Sequence, residues 1–228
     1  MTNAWTGDSP GAGKLPLVDA VRGYAGQGLK RTLDLTVALV ALVLLSPLLL
    51  AVYVAVRVTS PGAGFFRQTR VGLNQRSFSM YKFRTMREGC DQTVHRDYVL
   101  RLLAEEVEAE GGLYKLEDDF RVTRLGSWLR RTSIDELPQL FNVIRGDMSL
   151  VGPRPALAWE VENFPGWAMT RFTVRPGLTG LWQVSGRSRL TMLQGLRLDA
   201  VYVVRRTFWF DLVILLRTVP AVLGRGAR

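Results

Sequence analysis

A charge-free run of 22 residues, Leu35–Val56, constrains this chain of 228 residues more than any other feature. A helix of that length would extend about 33 Å at about 1.5 Å per residue, close to the roughly 30 Å hydrocarbon core of a bilayer. Ser46 and Pro47 lie at its centre. Because proline has no N–H and crowds the carbonyl four residues earlier, we expect a sharp bend there, with the Ser46 hydroxyl bonding back toward Leu42. The run therefore predicts membrane insertion with a break at its midpoint.

Basic residues flank the run on both sides. They are Lys14, Arg22, Lys30 and Arg31 before it, and Arg57, Arg67, Arg70 and Arg76 after it. Because basic residues favour the cytoplasmic side, both ends are expected in the cytoplasm, which favours a re-entrant helix-break-helix over residues 29–60. A Pro-kinked helix that crosses the membrane is the alternative, since proline is tolerated in spanning helices. The run begins too late and lacks the small-residue cleavage pattern of a removable signal peptide.

Cysteine and histidine are nearly absent from the chain. The one cysteine, Cys90, excludes an internal disulfide framework, and the one histidine, His95, leaves too few soft ligands for a zinc site. Any bound metal is therefore expected to be a hard cation with oxygen ligands. Residues 1–28, rich in Gly, Ala, Pro and polar residues, predict a flexible N-terminal tail.

The net charge of +10 is unevenly distributed. Residues 57–87 carry seven basic residues and no acid, which predicts attraction to anionic lipid at about 1 kcal/mol per basic residue near the surface. Nucleic acid is the rival partner, but its usual recognition signatures are absent, so we expect none. Residues 88–119 carry ten acids against three basic residues and predict a solvated helix without chemistry.

From Phe120 onward, all sixteen basic residues are arginine. Arginine presents a planar fork of donors that grips phosphate or carboxylate bidentately, so the composition suits a domain that binds oxyanions. A coding bias toward arginine remains the alternative. The final hydrophobic segment carries an acid, Asp211, and no uncharged stretch of about 20 residues, so we expect it to lie in the membrane interface. Within it, Asp211 has two interpretations, a functional acid or a capping or ion-paired residue.

Two adjacent carboxylates, Asp135 and Glu136, follow the arginines Arg130 and Arg131. In one interpretation Ser133 caps a helix and Glu136 completes a Ser-x-x-Glu capping box. In the other, the positive end of the same helix keeps Asp135 ionised, as a nucleophile toward phosphorus or a ligand for magnesium. Both interpretations require a helix that begins at Ser133.

Two proline- and glycine-containing segments follow the carboxylate pair. In Pro153-Arg154-Pro155, the rigid flanks fix where the arginine points, which suits a nucleotide phosphate; an incidental arginine in a surface turn is the alternative. Residues 175–187 combine turn residues with a short strand-like core and predict a hairpin or tight loop.

Together these strings resemble the bacterial sugar transferase family, the monotopic phosphoglycosyltransferases, over about residues 30–219. The matching strings are Ser46-Pro47, Phe66-Arg67-Gln68 with Arg70 and Gly72, Tyr81-Lys82-Phe83-Arg84-Thr85-Met86, Asp135-Glu136-Leu137-Pro138-Gln139, Pro153-Arg154-Pro155, Arg175-Pro176-Gly177, Gly186-Arg187, Asp199 and Asp211. Several long strings in one order make the resemblance specific.

The resemblance implies a re-entrant helix and an active site at the cytoplasmic face of the bacterial inner membrane. There the enzyme would move a sugar 1-phosphate from a UDP-sugar to undecaprenyl phosphate and release UMP, the first membrane step of surface polysaccharide synthesis. It assigns Asp135 as the nucleophile that holds the phosphosugar covalently. Glu136 would help to hold Mg²⁺ or handle a proton, and Lys82 would be the essential lysine.

The resemblance also implies the residues that bind substrate. They are Arg130, Pro153, Arg154, Arg175, Arg187, Asp199 and Asp211. Asp135 and Glu136 would be the metal ligands. A serine before Gly186, where many members have asparagine, points to UDP-glucose or UDP-galactose. A catalytically inactive basic adaptor that binds anionic lipid or a partner protein is the alternative function, and formation of a homodimer is left open.

The predicted fold class is mainly α with a small β-hairpin (α+β). A re-entrant membrane helix over residues 29–60 and interfacial amphipathic helices would accompany a cytosolic or interfacial catalytic domain over residues 61–228.

Overall fold

A computed structural model describes residues 27–87, 89, 93–103, 119, 121–186 and 190–223 of the chain. Its helices are α1 (Gln27–Thr59), α2 (Thr93–Leu103), α3 (Arg124–Thr132), α4 (Gln139–Arg145), α5 (Ala158–Val161), α6 (Leu181–Val184), α7 (Met192–Arg205) and α8 (Phe208–Leu223). Its strands are β1 (Phe65–Val71), β2 (Ser77–Phe83), β3 (Ser149–Val151) and β4 (Gly177–Thr179). Short 3-10 turns cover Leu73–Gln75, Ile134–Glu136 and Gly166–Thr173. The fold is mainly helical, as predicted, and the described residues form two small sheets where one small hairpin was expected.

Helix α1 continues through Ser46 and Pro47 without interruption, so the predicted break is not seen as a gap in the helix. The Ser46 hydroxyl donates a 2.8 Å hydrogen bond to the carbonyl of Val43. This is the carbonyl that Pro47, lacking an N–H, leaves without its helical donor. The predicted acceptor, Leu42, was therefore wrong, and the serine compensates the proline more directly than expected.

The two ends of α1 are packed and its middle is exposed. Ala38 is buried, as are Val52 and Val56 toward the other end, whereas Val43 and Leu44 are 72% and 73% exposed. By length and composition α1 could cross a membrane. A helix whose apolar middle is this exposed needs an apolar surrounding such as lipid, because its hydrophobic surface has no protein partner among the described residues.

Charged residues in the first two turns of α1 dock it on the globular domain. Arg31 donates to the carbonyls of Val143 and Ile144 at 2.8 and 3.0 Å, which satisfies the end of α4. Asp34 accepts a 3.1 Å bond from the Leu150 N–H. Arg31, counted above only as a flanking charge, thus also makes structural contacts.

The β-hairpin lies elsewhere than predicted. Strands β1 and β2 pair antiparallel, with Phe65 opposite Phe83 and Val71 opposite Ser77. A hairpin or tight loop was expected within residues 175–187; the described part, residues 175–186, instead contains β4, which pairs parallel with β3, followed by α6. The partner of β4 is a strand that ends 26 residues before β4 begins, and local turn signals do not reveal such a long-range pairing.

Three hydrophobic clusters form the core of the described residues. The first joins α1, α4, β3, α7 and α8 around Ala38, Val143 and Tyr202. The second packs α2, the 3-10 segment Gly166–Thr173 and α7 around Val99 and Leu196. The third packs the second half of α1 against β2 and α3. The acidic segment, residues 88–119, therefore contains a helix that buries one face, as predicted. Residues 104–118 of this segment lie outside the described residues.

Backbones approach closely where β3 leads into the Pro-Arg-Pro segment. A Cβ on Gly177 would lie 2.1 Å from the Gly152 nitrogen, and a Cβ on Gly152 would lie 2.4 Å from the Arg175 carbonyl oxygen. Only glycine permits this contact, because a side chain would push one backbone away from the other. The chain before Arg154 is thereby fixed against β4.

We expect Gly177→Ala to destabilise the protein by at least about 1–3 kcal/mol, because the added methyl group meets rigid backbone. Gly166→Ala is the matched control, since nothing lies within 4 Å of its Cβ position; its effect should stay within about 0.5 kcal/mol. Thermal unfolding of the purified protein in detergent measures both. Equal melting temperatures for the two variants would contradict the close approach.

Candidate functional site

The two adjacent carboxylates lie on a 3-10 turn, Ile134–Glu136, between α3 and α4. Ser133 ends α3 and directly precedes this 3-10 turn, so the helix expected to begin at Ser133 is only this short turn: the φ of Ser133 is 57°, in the left-handed region, and its N–H donates to the carbonyl of Arg130. Its side chain caps nothing. The predicted capping box is therefore wrong, because the local Ser-x-x-Glu signal cannot show which side of the serine is helical. Asp135 is buried by this turn.

Lys82, on β2, reaches the second carboxylate. Its Nζ lies 3.2 Å from the Glu136 Oε1. Asn142 of α4 holds β2 in place, donating from Nδ2 to the Ser79 carbonyl at 2.7 Å and accepting from the Tyr81 N–H at 3.1 Å. Because α4 directly follows the carboxylate turn, this amide fixes the hairpin against it. Asn142 was not predicted as a site residue, because its partners Ser79 and Tyr81 are more than 60 residues away in the sequence.

The electrostatics of Lys82 couple it to the rest of the site. Burial lowers the pKa of Lys82; Glu136 and Asp135 oppose this change and Arg154 adds to it. Burial likewise lowers the pKa of Arg130, and Asp135 opposes it. Asp135 therefore interacts electrostatically with both cations.

Arg130 lies in the last turn of α3 and donates from Nε to the Thr85 hydroxyl at 2.9 Å. Thr85 follows β2 by two residues, so this contact joins α3 to the strand that carries Lys82. The lysine, the carboxylate pair and Arg130 are thus held by a frame of mutually bonded elements, as catalytic positioning requires.

The Pro-Arg-Pro segment closes the other side of a shallow cleft. Lys82, Glu136 and Arg154 line it, with Gln139 of α4 and Gln183 of α6. Both glutamines are additions to the predicted site. The cleft is rich in cations and amide groups around one carboxylate, an arrangement suited to a phosphate-bearing ligand. Asp135 lies beside this cleft, not in its lining.

Buried arginines hold the backbone of this segment from behind. Arg171 donates from Nη2 to the Arg154 carbonyl at 2.6 Å, and Arg70 donates from Nη1 to the Pro155 carbonyl at 3.1 Å. The Gly177 N–H bonds the Pro153 carbonyl at 2.8 Å. Pro153 therefore serves the site through its backbone. Neither Arg70 nor Arg171 was predicted as a site residue, because only the fold brings them to this segment.

Asp199 and Asp211 lie within the protein, each paired with a cation. Asp199 Oδ2 is 2.9 Å from Arg171 Nη2, and Asp211 Oδ2 is 2.7 Å from Lys30 Nζ. Asp211 also accepts a 2.8 Å bond from the Tyr202 hydroxyl. Burial raises the pKa of Asp211, and Lys30 opposes that change. The ion-pair interpretation of Asp211 thus describes its observed contacts.

Arg175 lies outside the cleft lining. It is exposed and donates from Nε to the Gly146 carbonyl at 2.9 Å, beyond the end of α4. Arg187 lies outside the described residues. The structure thus brings together Lys82, Glu136 and Arg154, with Asp135 and Arg130 adjacent.

The described residues contain no group of three or more acidic, histidine or cysteine side chains placed to hold a metal. Mg²⁺ commonly uses only one or two carboxylates and takes its other ligands from water and substrate phosphates. The neighbouring carboxylates Asp135 and Glu136 fit that pattern. They are the oxygen donors that would hold Mg²⁺ here.

The burial of Asp199 predicts how the stability of the protein depends on pH. Burial raises the pKa of Asp199 from 3.8 to about 6, although Arg171 opposes it. The stability contributed by this protonated carboxyl is therefore fully present below pH 3.8 and lost as the pH rises through 6. At about 1.4 kcal/mol per pKa unit, the loss is on the order of 3 kcal/mol.

We therefore expect the free energy of unfolding of the native protein, minus that of Asp199→Asn, to fall between about pH 4 and pH 7. Denaturant titrations of both proteins at several pH values measure this difference, which cancels the other titrating groups. A difference that rises with pH would show instead that Arg171 dominates and lowers the pKa.

Comparison with known proteins extends these observations. The model of the bacterial sugar transferase family matches residues 25–225. The chain is 43% identical over 209 residues to the exopolysaccharide production protein ExoY of Rhizobium meliloti (strain 1021), covering 91% of each chain. It is 41% identical over 200 residues to the UDP-glucose:undecaprenyl-phosphate glucose-1-phosphate transferase of Xanthomonas campestris pv. campestris, covering 84% of this chain and 38% of that relative.

A third relative is the undecaprenyl-phosphate galactose phosphotransferase of Salmonella typhimurium (strain LT2). It is 40% identical over 202 residues, which are 86% of this chain and 41% of the relative. The resemblance seen in the sequence motifs is thereby confirmed: the chain belongs to the bacterial sugar transferase family, and with it to the phosphoglycosyltransferase enzymes.

Proposed function

We propose that the protein transfers a sugar 1-phosphate from a UDP-sugar to undecaprenyl phosphate and releases UMP, as the first membrane step of surface polysaccharide synthesis. The observation that carries this proposal is the convergence of Lys82, Glu136 and Arg154 on one cleft beside the buried Asp135. The names of the relatives from Xanthomonas and Salmonella, which specify sugar phosphate transfer to undecaprenyl phosphate, support it.

The proposed reaction has two steps at one carboxylate. An oxygen of Asp135 attacks the β-phosphorus of the UDP-sugar, and the bond from that phosphorus to the UMP oxygen breaks. A phosphate oxygen of undecaprenyl phosphate then attacks the same phosphorus, which releases Asp135 and forms a diphosphate-linked lipid sugar. Dividing the transfer in this way lets two bulky substrates use one site in turn.

Charge is the main obstacle to this chemistry, since a carboxylate must approach a diphosphate. Lys82, Arg130 and Arg154 supply positive charge around Asp135 and the cleft. Preorganised cations of this kind stabilise the charge on transferring phosphoryl oxygens. Mg²⁺ held by Asp135 and Glu136 would add neutralising charge on the phosphates. We propose glucose or galactose as the sugar, in line with the names of two relatives.

We also propose a re-entrant topology for α1 with the active site at the cytoplasmic face of the inner membrane. The exposed middle of α1 around Val43 and Leu44, between ends packed at Ala38 and Val52, supports it. On α8, Trp209 and Leu216 are exposed opposite the buried Asp211, as an interfacial helix requires. This arrangement holds the catalytic cleft near the headgroups, where a soluble nucleotide sugar and a membrane-bound phosphate can meet.

Asp135→Asn should abolish UMP release, because the amide is too weak a nucleophile to form the phosphosugar adduct. Membranes containing the protein are given UDP-glucose or UDP-galactose with Mg²⁺ and undecaprenyl phosphate, and released nucleotide is identified by chromatography. Asp97→Asn, on the exposed face of α2, is the control and should keep full activity. Release of UDP in place of UMP would overturn the proposed reaction.

Cysteine labelling tests the topology. In a Cys90→Ser background, Gln27→Cys and Pro61→Cys place single thiols at exposed positions near the two ends of α1. A membrane-impermeant maleimide should label both in inverted inner-membrane vesicles and neither in intact spheroplasts. Leu44→Cys should stay unlabelled in both, as a residue inside the lipid. Labelling of Gln27→Cys and Pro61→Cys from opposite sides would show that α1 spans the membrane.

A further inference from the structure

A buried ion pair lies directly behind the arginine of the cleft. Arg171 is 3% exposed and Asp199 is 0% exposed. The same Nη2 atom of Arg171 lies 2.6 Å from the Arg154 carbonyl oxygen and 2.9 Å from the Asp199 carboxylate. One guanidinium nitrogen therefore joins a carboxylate of α7 to the backbone of the residue whose side chain faces the cleft.

The position of the Arg171 guanidinium is also fixed by two aromatic rings. It lies 5.1 Å from the Phe164 ring centre and 5.7 Å from the Phe172 ring centre. Stacking against aromatic rings restricts the rotation of a guanidinium, so its donor direction toward the Arg154 carbonyl is preorganised. Such a group is a rigid support, unlike a mobile surface arginine.

The local backbone transmits this support to the side chain of Arg154. Pro153 and Pro155 flank Arg154; each proline fixes its own φ, and Pro155 restricts Arg154 to extended dihedrals. The peptide unit between Arg154 and Pro155 can still rotate, and such a rotation would change the direction of the Arg154 carbonyl. A charge-assisted hydrogen bond to that carbonyl therefore sets the direction in which the side chain leaves the backbone.

We propose that Arg171, anchored by Asp199, is a positioning residue that aims the Arg154 side chain at the anionic donor nucleotide. The inference rests on the proposed function, since it takes that nucleotide as the ligand of the cleft. Arg171 touches no substrate in this scheme. Asp199 acts one step further back, by holding the buried guanidinium in place through the ion pair.

Ligand affinity distinguishes an ion pair that only stabilises the fold from one that positions Arg154. The double variant Arg171→Met/Asp199→Leu removes both charges together, so no uncompensated charge is left in the core and the fold is expected to persist. In this variant the Arg154 carbonyl no longer receives the hydrogen bond from Arg171. A structural pair would leave ligand affinity unchanged in a folded double variant, whereas a positioning pair would weaken it.

The probe is UMP, and binding to the full chain in detergent or nanodiscs is measured by calorimetry. We expect the double variant to bind UMP about tenfold more weakly than the native protein, with its cooperative thermal unfolding retained. Arg84→Met is the matched control. Arg84 is also buried and also donates from Nη2 to a carbonyl, that of Ser60 at 2.6 Å, between α1 and β1. Its replacement should leave UMP affinity unchanged.

A second measurement tests whether the effect passes through Arg154. Arg154→Ala should weaken UMP binding strongly in the native background but less than half as much in the double variant, because the arginine is already misdirected there. Equal losses in both backgrounds, or native UMP affinity in the folded double variant, would overturn the positioning role. A native protein that neither binds UMP nor releases it from UDP-sugars would instead refute the proposed function itself.

Discussion

The conformation of the segment from Val151 to Pro155 depends on hydrogen bonds that charged side chains of the protein donate to its carbonyls. Lys30 reaches the Val151 carbonyl at 3.2 Å and Arg171 the Arg154 carbonyl at 2.6 Å, while Arg70 donates to Pro155. These donors come from α1, a 3-10 helix and β1, so one short loop joins three distant parts of the chain. Buried carbonyls with charged donors are costly to release, which makes the loop rigid. The cleft depends on that rigidity.

Much of the candidate site could be predicted because its residues stand in recognisable strings. Lys82, the Asp135-Glu136 pair and Arg154 were each identified from the sequence, and the fold brings them to one place. What could not be predicted is the support behind them. Arg171 and Asn142 act over long sequence separations, and nothing near them in the chain marks them as partners of the site.

Local sequence motifs gave wrong predictions where the same motif is compatible with two backbone conformations. Ser133 and Glu136 match a capping box, yet the serine ends α3 in a left-handed conformation, and the motif does not contain the information that separates these outcomes. The glycines and prolines of residues 175–187 predicted a hairpin or tight loop, whereas Gly177–Thr179 forms β4. The partner of β4 is β3, which is parallel and distant in sequence, so this topology follows from tertiary packing that turn signals do not encode.

The contact between Lys30 and Asp211 has a consequence for how the enzyme can be handled. Asp211 is buried, and its cation comes from the first turns of α1, which also cap α4 through Arg31. A fragment cut after α1 to obtain a soluble domain would keep a buried carboxylate whose counter-charge is gone. Helix α1 is thus an integral part of the folded domain, and shortened versions must retain its first two turns.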